Sequence, residues 1–310
     1  MILALAGGVG AARLLRGLID VVPARDVTAV VNTGDDVVLH GLSISPDLDT
    51  VAYTLAGLVN PATGWGRVDE TWTVMDALAE LGGDTWFRLG DRDLATHLYR
   101  TQRLRHGAPL SQVTAELAGA LGVEVRLLPM SDDRVETRVT VAGEGEIGFQ
   151  EYFVARRHAV PVTSVRFAGA DTAHPAPGVV DAVDAADTVI VCPSNPIVSI
   201  GPVLAVPGVR GAVEARRSAT IAISPIVAGA ALKGPADRLL AELGHEVSVV
   251  GVARLYAPLA EALVVDEADA ALAGAVAAEG MRCVVAPTIM RGPAEAAALA
   301  RVVLEARTAA

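Results

Sequence analysis

The sequence predicts an α/β fold, a mostly parallel sheet flanked by helices, and three observations carry that expectation. The chain opens as strand, glycine turn, helix and second strand. Short apolar runs alternate with helical stretches again through its second half. Its hydrophobic content of 52% comes mainly from aliphatic and small side chains, with aromatics at only 4%. Small side chains let helices pack closely on a sheet that is buried on both faces. At 310 residues the chain can bury a large core. The expected organisation is one domain over 1–310 with an inserted, mainly helical subdomain at about 61–130.

Each element has its own signal. Ile2 to Ala6 is an apolar run ending in Gly7-Gly8-Val9-Gly10, and Leu14, Leu15, Leu18 and Val22 then recur at helical spacing. Val27 to Asn32 reads as the second strand, closed by the polar turn Thr33-Gly34-Asp35-Asp36, which completes a βαβ opening. Helical patterns follow over Glu70 to Leu81, Asp93 to Leu104 and Ser111 to Leu121. Val135 to Val141 and Ile147 to Val154 alternate as in a hairpin around glycines 143, 145 and 148. Further strands are expected at Thr188 to Cys192, Ala219 to Ser224, Val247 to Val250, Leu263 to Val265 and Arg282 to Ala286. Pro235 and Pro293 suit first turns of helices.

Composition excludes several function classes. The net charge of −11 argues against a general nucleic-acid binder, because affinity for phosphate backbones comes from clustered Lys and Arg. A single phosphate can still be held by a few arginines and a helix N-terminus. Cys192 and Cys283 have no metal-ligand spacing and read as two thiols in a reducing compartment. The N-terminus lacks the basic region and long apolar run of a secretory signal, and the most apolar stretch, Ser218 to Leu232, is interrupted by Ser224 and Pro225. The expected location is the cytoplasm, with no membrane partner.

The glycine turn at the end of the first strand allows backbone amides to approach an anion. Gly8-Val9-Gly10 also supplies the first two glycines of a dinucleotide fingerprint, but Arg13 stands where the third is needed for close helix-to-sheet packing. No Walker A sequence is present, which weighs against an ordinary ATPase or kinase. Asp35 and Asp36 follow the second strand, and Asp47 and Asp49 come soon after in Ser45-Pro46-Asp47-Leu48-Asp49-Thr50. Such folds bind ligands at the C-terminal edge of the sheet, where two of these carboxylates could hold magnesium against a diphosphate. Ordinary helix capping by Asp explains the same residues equally well. Trp86 to Asp93 combines aromatics, arginines and acids at the entry to a helix, while His97 is given no catalytic role. Pro193-Ser194-Asn195-Pro196 and the stretch from Ser224 to Gly234 each follow an apolar strand and fit ligand loops, or simple turns.

Taken in order, LAGGVGAARLLRGL (5–18), VVNTGDD (30–36), SPDLDT (45–50), WFRLGDRDLATHLYRTQRL (86–104), LPMSDDRVET (128–137), FQEYFVARR (149–157), PSNPIVSIGP (193–202) and SPIVAGAALKGPADRLL (224–240) resemble the CofD/FbiA family of coenzyme F420 biosynthesis. The resemblance implies a Rossmann-like fold and a 2-phospho-L-lactate transferase type of enzyme. Such an enzyme moves a phospholactyl or phosphoenolpyruvyl group from a guanosine diphosphate-linked donor to the ribityl hydroxyl of the deazaflavin Fo, releasing GMP. It implies Mg2+ on Asp35 and Asp47. Asp49 and Arg88 would contact the deazaflavin, and Gly7, Gly8, Gly10, Asn32, Asp36, Ser194, Asn195 and Ser224 would line the substrate cleft. A homodimer is likewise implied by the family. Two other readings share the glycine loop: a non-catalytic nucleotide-binding regulator related to the gluconeogenesis factors, and an NAD-dependent oxidoreductase.

Overall fold

The structure is a computed structural model and describes residues 1–308. Seven strands form the central sheet: β1 (Ile2–Ala6), β2 (Val27–Val31), β3 (Arg126–Pro129), β4 (Thr188–Val191), β5 (Thr220–Ile223), β6 (Ala262–Val265) and β7 (Arg282–Val285). They lie in the order β7-β6-β5-β4-β1-β2-β3, and every neighbouring pair is parallel. The α/β class expected from the sequence is therefore what is observed. From β1 the chain builds outward through β2 to β3, then returns to place β4 on the other side of β1. The loops leaving β1 and β4 diverge there and open a crevice at the C-terminal edge, which is where parallel sheets hold ligands.

Residues on the inner strands are buried on both sides. Leu3 and Leu5 face one core and Ala4 and Ala6 the other, so β1 shows no polar alternation. Helix α1 (Gly8–Ile19) covers the second face with Leu14, Leu15 and Leu18, alongside the C-terminal helix Pro293–Thr308. The two helices touch at Gly17, where a Cβ would fall 2.3 Å from the backbone of Ala296. After β2 a short hairpin leads into α2 (Pro46–Leu55), followed by α3 (Thr73–Glu80), α4 (Asp91–Arg105) and α5 (Leu110–Ala120). Pro46 starts α2 at the position where a missing N–H costs nothing.

Three local expectations are corrected. Arg126–Pro129, inside the stretch read as helical, pairs with β2 and forms the sheet edge; four residues were too few to show a period. Val247 to Val250 is not a strand. Ser248 accepts hydrogen bonds from the N–H groups of Val250 and Gly251 and starts the helix Val249–Tyr256, so a serine cap overrides the valine run. The hairpin around the glycines joins Glu136–Val141 to Gly145–Gly148 and then gains Val162–Ala168 as an unforeseen third strand. Residues 149–154 leave it as a helical turn because Phe149, Tyr152 and Phe153, three and four apart, share one face, with Phe149 and Phe153 stacked at 5.6 Å.

Candidate functional site

The crevice is a cleft of about 780 Å³. Its floor is the glycine loop after β1. Gly7 caps α1, and a Cβ on it would meet Ser199 at 2.6 Å and the Asp47 carboxylate at 3.0 Å. Gly10 lies against the Pro193 carbonyl, which a Cβ would approach to 2.4 Å. The glycines therefore bring the β1 loop, the β4 loop and the start of α2 into direct contact. Ser194 secures this junction, donating from its hydroxyl to the Gly7 carbonyl at 2.8 Å and accepting from the Gly7 N–H at 3.3 Å.

Asp47 and Asp49 stand in the first turn of α2, where the helix N-terminus favours negative charge. Asp47 Oδ2 accepts from Asn32 Nδ2 at 3.0 Å, while Asn32 Oδ1 accepts from the Gly34 N–H at 2.8 Å, so the local network fixes the direction of the amide. Asp35 is buried beside Asp47, its Oδ1 has no hydrogen-bond partner, and its backbone carbonyl accepts from Gln150 at 3.1 Å. Burial, reinforced by the charges of Asp47 and Asp36, pushes the Asp35 carboxyl well above the usual carboxylate range. Burial also pushes Asp47 up to about 6, against the opposing bonds from Asn32 and the Gly8 backbone. A cation between the two carboxyls would favour the ionised form of both.

A second polar group backs this pair. Arg100, fully buried on α4, donates to Asp49 Oδ1, and Asp49 Oδ2 has no hydrogen-bond partner. Arg100 Nη1 also lies 3.2 Å from His97 Nδ1, which must accept because a guanidinium only donates. The remaining imidazole proton is then on Nε2, 3.3 Å from Asp93 Oδ2. Tyr53 donates to Asp93 Oδ1 at 2.6 Å, and burial pushes its phenol up. Although burial opposes its ionisation, the neighbouring His97, the bond from Tyr53 and the charge of Arg100 hold Asp93 below the ordinary range. Donor atoms of Asp49, Asp93 and His97 come within 4.8 Å of one another, a spacing compatible with a metal ion. Arg100 already supplies a positive charge there, whereas the Asp35–Asp47 pair has no cation among its hydrogen-bond partners. Oxygen-only donors of this kind suit a hard ion such as Mg2+.

Among the residues singled out from the sequence, Gly7, Gly8, Gly10, Asp35, Asp47, Asp49, Arg88, Ser194, Asn195 and Ser224 all line the cleft. Asn32 does not; it sits behind Asp47 as its orienting donor. Asp36 turns to the far side of its loop, accepting from Ser45 at 2.6 Å and lining a separate, smaller cavity. Arg88 lies over the Trp72 ring at 4.5 Å and reaches Asp76 at 3.3 Å, so its guanidinium is partly engaged elsewhere. The Ser224 hydroxyl is used by its own turn, whereas Asn195 keeps an unpartnered, buried Nδ2. The sequence reading missed Tyr53, Gln150, Trp65 and the Thr288–Arg291 loop as parts of the cleft wall. Only the last had a signal, because it follows a parallel strand.

The family model described as 2-phospho-L-lactate transferase CofD matches residues 2–289. A phosphoenolpyruvate transferase from Streptomyces griseus is 49% identical over 309 residues, covering 98% of this chain and 97% of its own. The proteins of that name from Kitasatospora aureofaciens and Mycolicibacterium smegmatis are 48% and 44% identical, again over at least 96% of each chain. Among solved structures, a UPF0052 family protein from Bacillus halodurans superposes with a TM-score of 0.64 over 98% of both chains at 17% identity, a likeness of fold alone. Among the described residues no single helix is long and apolar enough to cross a membrane.

Proposed function

The chain belongs to the CofD family, and from that membership we propose that it transfers a phosphoenolpyruvyl group from a guanosine diphosphate-linked donor to the ribityl hydroxyl of Fo, releasing GMP and forming dehydro-F420-0. The observation that carries this reading is near-half identity, along almost the whole chain, to proteins named phosphoenolpyruvate transferase. Those names favour the enolpyruvyl donor over the lactyl one of the family description.

The geometry supports the chemistry. Asp35 and Asp47 would hold Mg2+, with Asn32 fixing Asp47 and Gln150 fixing the Asp35 backbone. The ion, when bound, neutralises charge on the diphosphate so that a hydroxyl can approach. The glycine loop lies against the same carboxylate and offers the N-terminus of α1 to a phosphate. The hydroxyl oxygen forms a bond to the phosphorus bearing the three-carbon acid, the bridging P–O bond to GMP breaks with its electrons leaving on GMP, and the hydroxyl proton passes to water. Phe87, Phe149 and Phe153 provide apolar wall for a flat tricyclic ring, beside Arg88 and the free oxygen of Asp49. Catalysis on this plan is positioning plus electrostatics.

The test is incubation of the protein with Fo, Mg2+ and each donor, with the product read by mass spectrometry. The enolpyruvyl product is two hydrogens lighter than the lactyl one. Fo binding without turnover on either donor would count against a transferase and for a nucleotide-binding regulator.

A further inference from the structure

The cleft also carries cations that the carboxylate site does not use. Of the 25 Lys and Arg residues in the chain, Lys233 is the only lysine. It lies on the cleft wall together with Arg13, which follows the glycine loop on α1. Several arginines are paired with carboxylates, as Arg100 is with Asp49, Arg103 with Glu116 and Arg166 with Glu146. Among the described residues Arg13 and Lys233 form no ion pair. Arg13 donates to the Met290 carbonyl at 2.9 Å and Lys233 to the Thr63 carbonyl at 2.6 Å. Burial and the charge of Arg13 both lower the Lys233 ammonium, so the two cations sense each other with no anion between them. Two neighbouring cations without a counter-charge repel each other, and an anion bound between them relieves that repulsion.

Lys233 is exposed, and a Cβ on Gly64 would come within 3.3 Å of its Nζ and 2.9 Å of Val9 Cγ1, so the ammonium lies where the Gly64 loop meets the glycine turn. We propose that Arg13 and Lys233 form an oxyanion subsite that takes a charged group of the donor, either the phosphate of its nucleotide or the carboxyl-bearing three-carbon end. Naming the donor rests on the transferase reading; the subsite itself does not.

Because Lys233 is the only side-chain amine, limiting acetylation of the full-length protein with N-hydroxysuccinimidyl acetate, read by peptide mass spectrometry, reports on this site alone. The α-amine at Met1, which pairs with Asp187, serves as the internal control. Acetylation of Lys233 should slow at least fivefold with a saturating ligand while the α-amine is unaffected. Protection by GDP with Mg2+ assigns the subsite to the nucleotide phosphate, and protection by phosphoenolpyruvate alone assigns it to the three-carbon end. Equal rates with buffer, GDP and phosphoenolpyruvate overturn the proposal. In steady-state assays Lys233→Gln should raise the donor KM at least tenfold and leave the KM for Fo in place; an unchanged donor KM also overturns it. Protection without any transfer to Fo would sink the transferase reading and leave the subsite standing, whereas transfer without protection would do the reverse.

Discussion

Replacing Asp47 with Asn should make the metal-free protein more stable while removing its activity. The Asp47 carboxyl is 8% exposed and is pushed from 3.8 to about 6, so the folded state holds its proton more tightly than the unfolded chain does. That contribution is fully present below 3.8 and is lost as pH rises through about 6. The difference of about two pH units corresponds to about 3 kcal/mol given up by neutral pH in the absence of a cation. The asparagine that replaces the acid carries no charge to desolvate and keeps an acceptor for Asn32. Its amide cannot reproduce the bond from the Gly8 N–H, which costs about 1–2 kcal/mol. The net gain of about 1–2 kcal/mol corresponds to a rise in Tm of about 2–4 °C at pH 7.5 in EDTA. Differential scanning fluorimetry at pH 5 and 7.5, with EDTA or Mg2+, measures it. The wild type should lose stability between the two pH values in EDTA and recover it with Mg2+; Asp47→Asn should lose less over the same range, because the buried Asp35 still titrates, should show no Mg2+ recovery and should lose at least a hundredfold in turnover. A lower Tm for the variant in EDTA, or an undiminished Mg2+ response, would refute both the electrostatic accounting and the proposed ligand role.

Arg100→Met leaves Asp49 as a buried charge with no cation and should cost about 3–5 kcal/mol in urea unfolding, whereas adding Asp49→Asn should recover part of that loss. Gly10→Ala forces a Cβ against the Pro193 carbonyl at 2.4 Å, so it should destabilise by about 1–3 kcal/mol and impair turnover by parting the two loops. Gly119→Ala, inside α5 with nothing within 4 Å of the new Cβ, should instead stabilise by about 0.5–1 kcal/mol and leave activity alone. Ser248→Ala removes the cap of helix Val249–Tyr256 and should cost about 1 kcal/mol by the same unfolding assay.

The sequence by itself determined the elements whose cause is local. The apolar run of β1, the spacing of Leu14, Leu15 and Leu18, and the proline opening Pro293–Thr308 are each set by neighbours a few residues away. The loops that line the cleft were legible for the same reason, since a glycine or Pro-Ser-Asn turn after a buried parallel strand has few other places to point. Tertiary structure alone decided which side of each loop faces the cleft. Asp35 and Asp36 are adjacent in sequence, yet one lines the main cleft and the other bonds to Ser45 beside a separate cavity. Asn32 turned out to orient Asp47 because a side chain fifteen residues away needed a donor. In the buried group of Tyr53, Asp93, His97 and Arg100, helical spacing already puts the last three on one face of α4, but only the packing of α2 against α4 brings Tyr53 and Asp49 to them. Periodicity fixes what a residue is exposed to along its own element. Burial, which converts a carboxylate into a site, depends on elements that the chain brings together from far apart.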